Sequence, residues 1–354
     1  MDRIVIDGSY GEGGGQILRT ALTLSAIAGR PFRIERIRAL RRNPGLAAQH
    51  LTAVRSAAAL CRARLSGDAL ASTEIEFAPT MPVAAGDYVF DVGRAREGGS
   101  AGAVMLVLQT VLLPLAGAAE DSRLALRGGT HLAGSPPFDY VRDVWLPMLA
   151  RLGIEAAVEL AAWGWYPVGK GEVRARIRAG SAPLKPIAIA EPGPLLRILG
   201  RAVAANLPAH IPQRMADRAR SLLAGLGVEL RIEPLRVRAA CPGAGLFLIA
   251  EYANLNCGFG ALGEVGKPSE EVAAEAAAAL LKHHASGAAL DCHLGDQILV
   301  PLCLAEGPSR FTVEEITRHL ETNAWVIEQF GVARITAERS STGMGHVTVT
   351  PAGR

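Results

Sequence analysis

A chain of 354 residues, 49% hydrophobic but only 5% aromatic, can bury a large core and points to more than one domain or to an internally repeated one. Its five cysteines, Cys61, Cys241, Cys257, Cys292 and Cys303, are odd in number and never form Cys-x-x-Cys, which argues against a disulfide framework and a thiolate zinc site and for reduced thiols. The net charge of +3 permits a polyanionic partner without requiring one; no apolar run spans a membrane and the N-terminus enters a strand pattern directly, so a compact soluble protein with a cytoplasmic address is expected.

The first strand pattern, residues 3–7, runs into Gly8-Ser-Tyr-Gly-Glu-Gly-Gly-Gly-Gln-Ile-Leu-Arg-Thr20 and then an amphipathic helix pattern. Glycines at 11, 13, 14 and 15 take every Cβ but that of Glu12 out of a strand-to-helix turn, so backbone N–H groups can approach an anion at a helix N-terminus; the alternative reading is a flexible tight turn. Gln16, Arg19 and Thr20 recur on one helical face and, with Glu12, supply polar groups. A Walker A loop is excluded, because Gly13 is followed by glycines and not by Gly-Lys-Ser/Thr. A dinucleotide fingerprint fails as well: Gln16 stands where a small residue belongs, and the second strand pattern ends on Arg41-Arg42.

Residues 32–40 are expected to form that second strand, followed by a basic Arg41-Arg42-Asn43-Pro44-Gly45 turn, a helix over 46–61 and a strand over 73–77. Arg38, Arg41 and Arg42 gather at one strand end, where guanidinium groups can bind phosphate in bidentate fashion, or line a solvated basic edge. A second unit repeats the plan: a strand (88–92), Arg96-Glu-Gly-Gly-Ser-Ala-Gly102, an apolar helix with one glutamine, Gln109, ending near Pro114, a strand (124–126), a Gly128-Gly129-Thr130-His131 turn, a helix (138–152) and a strand (172–177). A buried glutamine is costly unless bonded, so Gln109 is either a satisfied core group or a ligand contact, and His131 reads as a surface histidine.

Near the C-terminus Asp296-Gln297-Ile298-Leu299 echoes Gly15-Gln16-Ile17-Leu18, with Pro301 expected in the first helical turn, followed by Phe311-Thr312, a helix over 313–330 and a strand over 333–338. In that helix Ile316, Leu320, Ala324 and Ile327 form the core stripe, with His319, Thr322 and Asn323 along its border. Residues 183–275 do not echo the repeats and read as an insert: a strand (187–190), an Arg- and Ala-rich helix through 213, a second helix to 226, and strands at 229–232 and 246–251. The expected architecture is α/β (α+β): repeat units one and two in a large domain over 1–182, an inserted small α/β domain over 183–275, and repeat unit three completing the large domain over 276–354.

Five stretches taken together, Glu12-Gly-Gly-Gly-Gln-Ile-Leu-Arg19, Ile37-Arg-Ala-x-Arg41 with Pro44-Gly45-Leu46 and Gln49-His50-Leu51, Gly128-Gly129-Thr130, His293-Leu-Gly-Asp-Gln297 and His319-Leu-x-Thr-Asn323, resemble the RNA 3′-terminal phosphate cyclases from end to end and in order. The resemblance implies that family's three repeated units and insert. It also implies a reaction in which His319 attacks the α-phosphate of ATP, holds AMP as a phosphoramidate and passes it to an RNA 3′-phosphate to form RNA-(3′)pp(5′)A. The adjacent 2′-hydroxyl then displaces AMP and leaves a 2′,3′-cyclic phosphate. By the same resemblance Glu12, Gln109, Phe259, His293, Leu294, Gly295, Asp296 and Gln297 surround ATP, Glu12 meets a divalent Mg2+ or Mn2+, and Arg19, Arg38, Arg41 and Gln49 hold the terminal RNA phosphate. The segment His131-Leu-Ala-Gly134 departs from the family pattern. A non-catalytic, cyclase-like ribosome-assembly protein is the rival reading, and such proteins lack the histidine that stands here as His319.

Overall fold

The structure is a computed structural model that describes residues 3–180, 183–341 and 343–353, so the domain limit expected at 182 falls outside the described residues. Its first block runs β1 (Ile4–Asp7), α1 (Gly15–Ala28), β2 (Phe32–Glu35), α2 (Ala48–Cys61), β3 (Arg64–Ser66) and β4 (Ile75–Ala78). The second block is β5 (Asp87–Asp91), α3 (Val104–Ala116), β6 (Ser122–Gly128), α4 (Phe138–Tyr140) and α5 (Leu146–Leu152) joined by one wider helical turn, β7 (Ala156–Ala162) and β8 (Gly171–Ile177). After β9 (Ala188–Ile189) come β10 (Leu195–Ala205), α6 (His210–Leu223), β11 (Glu229–Val237), β12 (Gly243–Tyr252), β13 (Asn256–Leu262) and α7 (Ser269–Ser286). The chain closes with α8 (Cys292–Gln297), α9 (Leu299–Leu302), β14 (Ser309–Val313), α10 (Arg318–Gln329), β15 (Ala333–Arg339) and β16 (Gly345–Pro351).

Among the described residues these strands make four four-stranded sheets, ordered β1-β2-β4-β3, β5-β6-β8-β7, β9-β14-β16-β15 and β11-β10-β12-β13. The first three share one plan, in which the first two strands are parallel neighbours and the last two add antiparallel in the order fourth, third. The helices form the centre. Residues 104–108 and 111–113 of α3 are all buried, as an almost wholly apolar helix must be, and α1, α2 and α3 pack on one another while α10 packs on α1.

Several expectations are corrected. The strand expected over 32–40 ends at Glu35, because Arg36 and Arg38 take left-handed backbone angles (φ 56° and 53°) that a strand excludes; Gly45 N–H bonds Ile37 C=O at 2.8 Å and closes a projecting basic loop. The helix expected through 213 is instead the 11-residue strand β10 up to Ala205. Leu, Ala and Arg favour helix locally, but this segment lies between β11 and β12 with Ile198 and residues 202–205 fully buried, and sheet burial overrides propensity. The second helix, expected to reach 226, is α6 itself, which starts earlier, at His210, and ends at Leu223 with a short tighter turn over residues 224–226.

Strand 187–190, expected in the insert, pairs in parallel with β14 in the third sheet, and α7, which runs past the expected insert end at 275, packs on β12, β13 and α6. The helix expected from 313 begins at Arg318: Val313 still pairs with Gly345, and the Thr317 hydroxyl accepts from Leu320 N–H as the cap. His131 is 1% exposed rather than a surface residue. Its ring lies against Trp163, Trp165 and Phe247, and its two nitrogens meet the Thr130 hydroxyl (2.7 Å) and the Asp139 carboxylate (3.0 Å).

Candidate active site

The turn between β1 and α1 is built so that side chains can lie on its backbone. Gly14 has ordinary extended angles, so its conformation does not demand glycine; a Cβ there would stand 1.7 Å from Glu12 Oε1 and 2.8 Å from Arg41 Nη2. At Gly15 a Cβ would stand 2.3 Å from His50 Nε2 and 3.0 Å from Arg19 Nη1. Close approach is therefore the reason for glycine at 14 and 15, whereas Gly11 and Gly13 also take left-handed backbone angles (φ 58° and 57°). This close approach lets one carboxylate, one imidazole and two guanidinium groups gather where α1 starts.

Glu12 is the hub. Its side chain is 9% exposed; Oε2 lies 2.7 Å from His319 Nε2, and Oε1 lies 3.1 Å from Arg41 Nη2, close enough for an ion pair but without hydrogen-bond alignment. The Thr322 hydroxyl accepts from Glu12 N–H at 3.1 Å and ties the turn to α10. Shortening α10 to start at Arg318 places His319 in its first turn, where backbone N–H groups are free of intrahelical partners and the helix dipole is positive. Its side chain is 49% exposed, which leaves the ring accessible to a substrate.

One turn further along α10, Thr322 and Asn323 are buried rather than at a border. Asn323 accepts from the Thr20 hydroxyl (2.6 Å) and donates to Asp296 C=O (2.7 Å), so α1, α8 and α10 are braced through a single amide.

The basic residues divide by partner. Arg38 donates to Gly45 C=O at 2.8 Å, Arg41 faces Glu12, and Arg19 donates to Gln16 Oε1 at 2.6 Å. Gln49 Oε1 accepts from Ala103 N–H at 2.9 Å, which joins this pocket to the start of α3. His50 is a site residue that the reading by type passed over, although it stands beside Gln49 in the Gln49-His50-Leu51 run. It is 5% exposed and its Nδ1 accepts from Ala47 N–H, so the proton of the neutral ring sits on Nε2.

On α8, His293 is exposed and Asp296 is 7% exposed, whereas Leu294 is fully buried and Gly295 packs where a Cβ would meet Val313 at 2.5 Å. Gln297 accepts from Gln109 at 2.8 Å, which satisfies the glutamine in the apolar helix. Gln16, Arg19, Thr20, Gln109, Gln297 and Asn323, with the apolar Leu113, Trp145 and Val300, line one small cavity of about 40 Å3. Phe259 stands apart: it is 8% exposed on β13 and packs on His283 (5.4 Å between ring centres). Its neighbour Gly258 donates to Asp291, the residue that caps α8, so β13 reaches the site through that cap. A larger groove of about 930 Å3 opens at the far end of α1, around residues 26–29, and gathers almost no chemical groups.

Burial alone would raise the Glu12 carboxyl, but the bond from His319 and the charges of His319 and Arg41 outweigh it and hold Glu12 below its ordinary range. His319 is raised in return, chiefly by that bond. Burial lifts Asp296 to about 6, although His319, His293 and Arg19 pull the other way, and it lowers Arg19 to about 10, still a cation at neutral pH. His50 falls to about 3 through burial and then through Arg19, Arg38 and Arg41, so it remains neutral. The site thus offers a half-exposed imidazole, a group of guanidinium cations and two helix starts within one cluster.

The family profile described as RNA 3′-terminal phosphate cyclase matches residues 10–337. A protein of Methylococcus capsulatus named RNA 3′-terminal phosphate cyclase is 59% identical over 355 residues, covering 100% of this chain and 98% of its own length. One of the same name from Trichormus variabilis is 55% identical (95% of this chain, 97% of the relative), and one from Pyrobaculum neutrophilum is 43% identical (95% of each). With the profile covering most of its length and these relatives matching it nearly end to end, the chain belongs to the RNA 3′-terminal phosphate cyclase family.

Proposed function

We propose that this protein converts an RNA 3′-terminal phosphate to a 2′,3′-cyclic phosphodiester at the expense of ATP, with His319 as the nucleophile. The observation that carries this reading is the single carboxylate of Glu12, which touches His319 Nε2 on one oxygen and faces Arg41 on the other, so that nucleophile and anion pocket meet. In the first step a ring nitrogen of His319 bonds to the α-phosphorus of ATP and pyrophosphate leaves. Attack by Nε2 requires that nitrogen to give up its proton, and Glu12 Oε2 at 2.7 Å is the acceptor at hand. The RNA phosphate, held by Arg19, Arg38 and Arg41 with Gln49, then takes AMP from the imidazole. The vicinal 2′-hydroxyl closes on the activated phosphorus and expels AMP.

The residues present fit a metal that arrives with ATP. Glu12 Oε1 lacks a hydrogen-bond partner, and one carboxylate plus substrate phosphates is a usual magnesium environment, while among the described residues no group of three or more His, Cys, Asp and Glu forms a resident site. Such an ion would offset charge on the phosphates and the leaving pyrophosphate. Asp296, Gln297, Gln109 and His293 would contact the nucleotide in this reading.

The non-catalytic reading has no use for an imidazole kept half exposed at a helix start. Incubation with α-labelled ATP and metal, without RNA, tests the proposal. Covalent label on the wild-type protein that is absent from a folded His319→Ala protein is the expected result, and label retained by that variant moves the nucleophile elsewhere, with His293 next to be tried.

A further inference from the structure

Aromatic side chains are scarce here, yet two of them form an exposed stack beside the catalytic turn. Tyr10, two residues before Glu12, is 44% exposed, and its ring lies on Trp325 with centroids 4.0 Å apart and planes 15° from parallel. Trp325 is half-buried on α10, six residues beyond His319, so the pair bridges the Gly-rich turn and the histidine helix. The core does not require this arrangement. A tyrosine added to a core would be covered, whereas Tyr10 covers part of Trp325 and leaves much of its own surface to solvent.

From this geometry we infer that Tyr10, backed by Trp325, is a stacking platform for the 3′-terminal base of the RNA, an inference that rests on the cyclase reading above. The pocket of Arg19, Arg38 and Arg41 holds a phosphate and reads nothing of the base attached to it. Only Gly11 separates Tyr10 from Glu12, a reach of about 7 Å at most over two chain steps, and Glu12 faces Arg41, so the nucleotide whose phosphate meets the arginines has its base within range of the stack. What the platform presents is chemically suited to a base and not to a phosphate. Its surface is aromatic, and the nearest residues before it, Asp7 and Ser9, are bonded to each other through the Asp7 carboxylate, which also pairs with Arg36. Because every base has a π-face, such a platform strengthens binding without selecting a sequence. Trp325 holds the tyrosine ring in place before RNA arrives, so little side-chain freedom is lost on binding.

The test compares wild type, Tyr10→Ala, Tyr10→Phe and Trp325→Ala on two RNAs ending in a 3′-phosphate, one ordinary and one abasic at the terminal nucleotide. The expected result for Tyr10→Ala is a KM for ordinary RNA raised roughly five- to hundredfold, with label capture from ATP within about twofold of wild type. Tyr10→Phe should restore wild-type KM. The abasic RNA should lose a similar factor on the wild-type protein and nothing further on Tyr10→Ala, because the two changes remove the same contact. Trp325 emission should change on adding ordinary RNA and less on adding the abasic one. An unchanged KM in Tyr10→Ala, or an abasic penalty equally large in both proteins, overturns the platform while leaving an active cyclase. A wild-type protein that neither captures label nor cyclises RNA overturns the cyclase reading and this inference together.

Discussion

Glu12 and His319, 307 residues apart in sequence, meet at 2.7 Å in the free protein, and the carboxylate occupies the ring nitrogen Nε2. This contact makes the histidine more basic and the glutamate more acidic, each through the other. Replacing Glu12 by Gln keeps the shape and removes the charge. The His319 pKa should then fall toward the ordinary value, measurable by NMR titration of the ring, and label capture should slow by about a hundredfold, the usual scale for losing a positioned acid-base partner. A ring that titrates as before in Glu12→Gln would show that the pair does not govern His319.

The arginines should separate by step. Arg38 is bonded to a backbone carbonyl and not to Glu12, so Arg38→Ala should leave label capture nearly unchanged and slow transfer from pre-formed enzyme–AMP to RNA about tenfold to a hundredfold, the scale of one charge-assisted hydrogen bond. Arg41 faces Glu12, and Arg41→Ala should slow both steps. Single-turnover rates for each step in both proteins check this. Parallel losses in Arg38→Ala would place that residue with ATP and not with RNA.

Gly14→Ala is the smallest change that should empty the hub. A methyl group 1.7 Å from Glu12 Oε1 and 2.8 Å from Arg41 Nη2 must displace both side chains, yet the backbone angles at Gly14 suit alanine. The expected outcome is loss of most label capture with a melting temperature within a few degrees of wild type, read by calorimetry. A large fall in stability with label capture preserved would mean that the turn serves folding.

His50 predicts the acid limb of stability. Its native pKa of about 3 lies below the ordinary 6.5, so between those values the unfolded chain binds a proton that the folded chain refuses. Stability is fully present above pH 6.5 and should be lost as pH falls, by up to roughly 1.4 kcal/mol per pH unit from this group. Denaturant melts between pH 4.5 and 8 should show a shallower acid limb in His50→Gln than in wild type. Identical slopes would remove His50 from the account.

Much of this was legible in residues adjacent in the chain. The glycine run, the clustering of Arg38 with Arg41, the His319-Leu-x-Thr-Asn323 stretch and the strand-helix alternation are local patterns, set by side-chain type and spacing of a few residues, and the sequence alone determined them, although it placed Arg38 in a strand where the chain has already turned into a loop. Where the pattern depended on what lies alongside, it misled. Residues 195–205 carry helical propensity but form a strand, because two neighbouring strands satisfy their backbone and bury their side chains. His131 reads as exposed from its turn, yet two indoles, Thr130 and Asp139 enclose it. Only the tertiary structure decided that Glu12 would sit on His319, that His50 would lie neutral among three arginines, and that Asn323 would brace Thr20 against Asp296. Those pairings join α1, α2, α8 and α10, and no local periodicity encodes the distance between helices that the packing of an entire core sets.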